Sequence, residues 1–300
     1  MKVAMLIMAH HQPSHLAKLI KALNCDWIHF FIHLDKKVDI DEFVKMAPKA
    51  NNITFLDNNQ RVKVYWAGYS QVKAILIVLN TARQREENFD RFCLISGSDF
   101  PIKSVNQIEE EFNTKKEFMR IDRQIGESYF NSHRRFVKYL HFMDYPLLKR
   151  FDLSEKISRK IYKKINLYHG STWWSLTSEC VDYIMKFLNS NRDYINFHRW
   201  TLSSDEIFFH SIVKNSPFAS NISHDFEQLS SPDNSSYFEL NEHGCTYIDW
   251  NAKNIILPKV LVEEDFNNLT SSQCLFARKF DHIKSARLIE MLQEKYLLDI

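Results

Sequence analysis

Apolar positions in this chain fall into short unbroken runs separated by stretches with helical spacing. Val3–Ala9 is continuous and apolar, which suits a strand covered on both faces. Leu16, Leu19, Ile20 and Leu23 then recur on one helical face, with Ser14 as a cap. Ile28 to Asp35 is a second strand, Asp39 to Met46 a short helix, and Ile53 to Leu56 a third strand. A helix is expected from about Ser70 to Arg85, and Phe92 to Ser96 is a fourth buried strand. Further on, the pattern predicts a strand over Gly170–Leu176 and helices over Glu179–Asn189 and Asp205–Val213, the latter capped by Ser203 or Ser204. Residues 220–262 read as strands and loops, and Ser285–Leu297 as a closing helix.

Strands alternating with helices in this way predict an α/β fold with a parallel, Rossmann-like sheet. Ligands of such sheets bind beyond the carboxyl ends of the strands. Those ends carry His10-His11, His33-Leu34-Asp35 and Ser96-Gly97-Ser98-Asp99. Their coincidence at three strand ends is the first sign of a site, with His10 expected to line a nucleotide pocket. A zinc reading of His11 and His15, four apart, lacks further ligands in the sequence.

The segment 147–165 is basic, and Ile157, Ile161 and Ile165 within it fall at helical spacing. It reads as a solvated helix. Two further readings are contact with anionic lipid headgroups and binding of an acidic or pyrophosphate-linked acceptor.

Composition narrows the class. Hydrophobic residues make up 45% of 300 and charged residues 25%, which excludes a disordered chain, a collagen and a coiled coil. Lysine and arginine number 39 against 37 acidic residues, a net charge of +2, so no general affinity for nucleic acid is expected. Five widely spaced cysteines without a C-x-x-C pair read as reduced thiols. No run reaches the roughly 20 apolar residues of a membrane helix, and His10-His11 follows the first run where a signal peptide would need a small-residue cleavage site. The expectation is a cytoplasmic protein, peripheral at the inner face of the membrane if 147–165 meets lipid.

Eight segments, in order, carry a resemblance: Ala9-His10; Phe31 to Lys37; Trp66-Ala67-Gly68-Tyr69-Ser70-Gln71-Val72; Leu94 to Pro101; Gly170-Ser171-Thr172-Trp173-Trp174-Ser175-Leu176; Ser203 to Phe209; Tyr247-Ile248-Asp249-Trp250; and Phe276 to Asp281. Together they span residues 9–281. The chain resembles the core-2/I-branching β-1,6-N-acetylglucosaminyltransferase and peptide O-xylosyltransferase superfamily, especially its short bacterial members. The resemblance implies a GT-A-type fold, a UDP-sugar donor and inversion at the anomeric carbon. One domain over 1–300 is expected, with a nucleotide-binding half (1–125) and an acceptor-binding, catalytic half (126–300).

Inverting transfer needs a base for the acceptor hydroxyl and positive charge for the departing diphosphate. Glu206 matches the family's catalytic glutamate in Ser-x-Asp-Glu, although Asp205 and Glu206 could equally decorate a helix start. Lys279 matches the diphosphate-binding lysine, with Arg278 beside it. The family's second cation falls at Thr246, so Lys253 or Arg278 must stand in. The single Asp-x-Asp, Asp39-Ile40-Asp41, precedes a helix as a cap would, and no divalent metal is expected. Asp35 matches a family position near the uridine, and Asp99 could meet the ribose or sugar hydroxyls; turn formation is the other reading of both. Trp173, Trp174 and Asp205 are assigned to acceptor binding, with the two tryptophans facing opposite sides of a strand, one in the core and the other a platform for a sugar face; core packing of both is the other reading.

N-acetylglucosamine is the first choice of sugar, xylose the second, and a glycan or lipid-linked glycan is the expected acceptor. Two readings of another class stand beside it. A glycoside hydrolase would pair Glu206 with Asp99, and a silent sugar-nucleotide binder would need no Glu206.

Overall fold

The computed structural model describes residues 1–126, 133–149, 151, 155–227, 240–250 and 257–296. Strands β1 (Val3–Ala9), β2 (Ile28–Leu34), β3 (Ile53–Phe55) and β4 (Arg91–Ser96) pair in parallel in the order β3-β2-β1-β4. Helices α1 (Pro13–Leu23), α2 (Asp41–Met46) and α3 (Tyr69–Arg83) connect them. Pro13 opens α1 at its first position, where its missing N–H costs nothing; the cap is therefore Gln12 and not Ser14. Leu16, Leu19, Ile20 and Leu23 are buried as their spacing requires.

After β5 (Phe100–Pro101) comes α4 (Val105–Phe112), started by a capping box between Ser104 and Gln107. Strand β6 (Glu117–Gln124), the short helices α5 (Arg134–Lys138) and α6 (Pro146–Lys149), and strands β7 (Tyr168–Gly170) and β8 (Trp174–Thr177) follow. Helices α7 (Ser178–Ser190), α8 (Arg192–His198) and α9 (Phe208–Lys214) lead to β9 (Ile222–Asp225). The large sheet runs β3-β2-β1-β4-β8-β6-β7, with β9 beside β6 and with β8 antiparallel to β4. A small sheet, β10 (Glu242–His243), β11 (Thr246–Ile248) and β12 (Phe276–Arg278), closes on β5. Helices α10 (Phe266–Ser271) and α11 (Ala286–Tyr296) complete the chain. This is the α/β arrangement with a parallel, Rossmann-like first half that the sequence implies.

Two apolar clusters cover the two faces of the large sheet. One joins Val3, Met5 and Ile7 to Phe276, Phe280 and Leu292; the other joins Ala4, Leu6 and Leu94 to Trp174, Phe208 and Ile212. Each draws on residues from both sides of position 125.

The basic segment is not a helix beyond α6. Residues 155–167 run in irregular backbone, with Tyr139 and Ser158 forming an antiparallel bridge. The half-buried arginine in it explains why. Arg159 turns inward, donating to Val137 O and Thr201 Oγ1 at 2.9 and 2.7 Å and to Phe197 O, and its guanidinium lies 3.9 Å above the Phe197 ring. Ile161 and Ile165 pack on the core, but Ile157 is exposed, so the three do not form one helical stripe. Residues 150 and 152–154 of that expectation lie outside the described residues, as do 228–239, Lys253 and Leu297.

Candidate active site

Strand register assembles the three polar clusters. Ala9 pairs with Leu34 and Met8 with Ser96. Asp35 N donates to Ala9 O (2.9 Å) and Gly97 N to Met8 O (2.8 Å), so the ends of β1, β2 and β4 stop at one level. A Cβ at Gly97 would lie 2.6 Å from that of Ala9, which is why this crossing requires glycine. Phe280 N donates to Ser98 O at 2.9 Å, which carries Arg278 and Lys279 to the same crevice. Gln12 fixes that segment from the other side, donating to Asp281 Oδ2 at 3.0 Å and accepting from His282 N at 2.9 Å.

The exposed His10 stacks on His11 with ring centroids 4.3 Å apart. Burial lowers the affinity of His10 for a proton; Asp35 opposes this, and Lys279, Lys37 and Arg278 add to it. His10, Asp35, Arg278 and Lys279, four of the expected donor residues, thus converge. Asp35 is buried and also serves its turn: Oδ1 accepts from Lys37 N at 2.9 Å and Oδ2 lies 3.1 Å from Lys37 Nζ. Arg61, buried, donates to Leu34 O, Asp35 O and Val38 O and holds this turn rigid.

Asp99 is completely buried. Its Oδ2 accepts from Ser96 N at 2.9 Å, and its Oδ1 lies 3.6 Å from Arg278 Nε. Burial pushes the Asp99 carboxyl up to about 6, against the pull of Arg278. Arg278 lies with its guanidinium 4.3 Å above the Trp173 ring. Lys279 has no ion-pair partner among the described residues, whereas Lys259 is paired to Asp265 at 2.5 Å. Thr246 is wholly buried and places no charge in the crevice.

On the acceptor side, Glu206 ends a 3-10 turn (Ser204–Glu206) that Ile207 separates from α9, and is not inside a longer helix. Ser203, at φ 46°, sets this turn by donating its N–H to Ala67 O at 2.9 Å. Glu206 keeps about a third of its side chain exposed and meets His169, whose Nε2 is 3.3 Å from Oε2. His169 Nδ1 is 3.0 Å from Asp122 Oδ2, and Arg120 Nε donates to Asp122 Oδ1 at 2.7 Å. Burial alone would lower His169, but hydrogen bonds to Asp122 and Glu206 raise it to about 9. Burial works against Asp122 in turn, and His169 and Arg120 overcome it and hold the carboxyl below its usual range. His133 stacks on His169 at 3.9 Å, and burial pushes it down to about 3.

Asp205 does not present its carboxylate to solvent. It accepts from Thr172 Oγ1 at 2.7 Å, and burial together with the charge of Glu206 pushes it up to about 7. The tryptophans depart from the acceptor assignment. Trp174 is fully buried against Phe209 in the core, and no ligand reaches it. Trp173 is buried in the same apolar cluster as Trp174, and its ring face is taken by Arg278.

The segment 169–173 therefore links the whole site: His169 to Glu206, Thr172 to Asp205, and Trp173 to Arg278 and Asp99. Gly170 makes that path feasible. A Cβ there would fall 1.9 Å from Arg120 O. Asp122, His169, Arg120 and Thr172 are site residues beyond the sequence expectations. Among the described residues no group of three or more His, Cys, Asp or Glu is placed to hold a metal ion, and His15 instead bonds Asp99 O at 3.0 Å. All five cysteines are free thiols.

An α/β sheet with carboxylates and cations gathered at its strand ends is a framework for binding a charged ligand at that edge. Residues 3–270 match the model of the Core-2/I-Branching enzyme family, and the chain belongs to that family. Its sequence is similar to xylosyltransferase 2 of Rattus norvegicus (24% identity over 307 residues, 97% of this chain and 33% of the relative). It is similar also to xylosyltransferase 2 of Homo sapiens (24% over 310 residues; 97% and 33%) and xylosyltransferase 1 of Rattus norvegicus (22% over 309 residues; 99% and 35%). The chain spans about a third of the length of these relatives. Among solved structures, apo mouse xyloside xylosyltransferase 1 aligns with a TM-score of 0.36 at 11% identity, covering 75% of this chain and 85% of that one. The galactosyltransferase LgtC, with donor and acceptor sugar analogs, aligns at 0.39 and 7% identity over 98% and 96%.

Proposed function

We propose that this chain transfers a sugar from a UDP-sugar to a hydroxyl of a glycan or lipid-linked glycan, with inversion and without a divalent metal. The acceptor oxygen attacks the anomeric carbon from the face opposite the diphosphate, and the bond from that carbon to the phosphate oxygen breaks. The acceptor proton goes to Glu206, and UDP leaves with the bonding electron pair. Asp35 and His10 would hold the nucleoside. Lys279 would meet the diphosphate, and Arg278, held by Asp99 and Trp173, would supply the second cation expected at Thr246. Fixed charges of this kind need no reorganisation as negative charge develops.

The observation that carries the reading is the strap 169–173. It couples the base, through His169, to the cationic crevice, through Trp173 and Arg278. Cationic His169 orients the Glu206 carboxylate while leaving part of it open to an acceptor. N-acetylglucosamine is our first donor sugar. Xylose is the second, favoured by the names of the relatives. The free thiols support a reducing, cytoplasmic setting.

The test is calorimetric titration of UDP and a panel of UDP-sugars in excess EDTA, followed by acceptor screening with the tight-binding donor. Binding of one UDP-sugar in EDTA, and transfer abolished in Glu206→Gln, are the expected results. Binding that requires manganese would overturn the metal-free mechanism. Hydrolysis of a glycan without any nucleotide would replace transfer by the hydrolase reading. Transfer that survives in Glu206→Gln would remove the base.

A further inference from the structure

The surface at and after α6 carries exposed apolar side chains. Leu147 is 74% exposed and Phe151 69% exposed, and Tyr145, Leu148 and Ile157 are also open to solvent. Large apolar side chains at such exposure on neighbouring positions mark a contact surface, since scattered ones are ordinary but clusters are not. Tyr145 stacks on Trp200 with ring centroids 5.3 Å apart, and Trp200 forms one wall of a shallow groove of about 670 Å³. Lys160, Lys163 and Lys164 line that same groove, and among the described residues Asp193 is the carboxylate that lines it. Asp193 pairs with Lys164 at 2.8 Å; Lys160 and Lys163 are exposed and have no ion-pair partner among the described residues. Arg159 is turned inward to fix the backbone, so the lysines after it stand on a rigid segment.

An apolar set joined through Tyr145 and Trp200 to a groove with two unpaired lysines is complementary to one kind of occupant. A bilayer with anionic headgroups offers hydrocarbon below and phosphate above, and Tyr and Trp rings favour the boundary between them. A protein partner would have to supply both an apolar pocket and an acidic rim. Among the described residues no helix is long and apolar enough to cross a membrane, so the contact is with the surface.

We infer that the face formed by Tyr145, Leu147, Leu148, Phe151, Lys160 and Lys163 docks onto an anionic lipid surface. Leu147 and Phe151 enter the interface, and Lys160 and Lys163 meet the phosphates. The inference stands on exposure and charge, and does not depend on the transferase reading.

Sedimentation of the full chain with vesicles of phosphatidylcholine, with and without 30% phosphatidylglycerol (about that fraction suffices to charge the surface), tests it without any enzymatic readout. Binding to the anionic vesicles, weakened at least about tenfold by Leu147→Glu with Phe151→Glu and again by Lys160→Glu with Lys163→Glu, is expected. All four positions are exposed, and circular dichroism checks that both variants fold. No binding to anionic vesicles, or binding indifferent to both variants, overturns the inference. A concentration-dependent dimer that Leu147→Glu disperses, with no vesicle binding, would assign the face to a second copy of the chain.

Discussion

His169 joins Glu206 at 3.3 Å through Nε2 while its other ring nitrogen rests 3.0 Å from Asp122. The proposed base is thus held by an imidazole that is itself held from behind. Truncating the base and truncating its support should have different consequences. Glu206→Gln keeps the shape and removes the proton acceptor, and should lower kcat by roughly 10²–10⁴. His169→Gln keeps one hydrogen bond but loses the charge, and should lower kcat by roughly tenfold to a hundredfold with little change in donor KM. It should also reshape the pH–rate profile on its alkaline side, where the imidazolium of the parent enzyme deprotonates. Equal pH profiles for the parent and His169→Gln would leave His169 with a structural role alone.

The same pair makes stability depend on pH. His169 binds its proton up to about 9 in the folded chain against an ordinary 6.5. A group raised on folding contributes its full stabilisation below its unfolded value and loses it as pH rises through its folded value. Here that is roughly 3 kcal/mol, present below pH 6.5 and fading towards pH 9 and above. Thermal melts from pH 6 to 10 should therefore show the parent losing its advantage over His169→Gln across that window. A gap in Tm that stays constant from pH 6 to 10 would contradict the coupling.

What the sequence disclosed and what it concealed divide along a physical line. β1, β2 and β4 were legible because both of their faces are covered, which leaves unbroken apolar runs. β6 was not, because Glu117, Arg120 and Asp122 are buried on it with partners remote in sequence: Thr177, the backbone at Leu240 and Glu242, and His169. A buried polar strand looks like a loop until its partners are known. Glu206 and Asp99 could be nominated because each lies in a recognisable segment. His169 had no signal beyond its place before Gly170. The helical reading of 147–165 failed because it took basic residues as solvated, and Arg159 is anchored inward.

The core Trp174 and the exposed Trp66 should separate cleanly. Trp174 fills the core, and Trp174→Ala should cost about 3–5 kcal/mol of stability, read as a large fall in Tm. Trp66 is 82% exposed, and its neighbour Ala67 accepts from Ser203 N at 2.9 Å at the start of the Glu206 turn. An open indole there can offer a face to a sugar. Trp66→Ala should leave Tm and UDP affinity unchanged and raise the acceptor KM severalfold. A loss of UDP affinity in Trp66→Ala would place the ring on the donor side instead.

Arg278 and Asp99 form a buried pair whose carboxyl is already raised to about 6. Removing one partner of such a pair leaves the other charge buried and uncompensated, typically at a cost of about 3–5 kcal/mol. In Arg278→Ala the Asp99 carboxyl loses the one cation that pulls it down, so it rises further and is protonated at pH 5. The charge penalty is then present at pH 8 and largely relieved at pH 5. Arg278→Ala should melt well below the parent at pH 8 and closer to it at pH 5. Asp99→Asn in the same background should recover part of the loss at pH 8, since an amide carries no charge to strand. Equal destabilisation at both pH values would mean that Arg278 acts through its packing on Trp173 and not through Asp99.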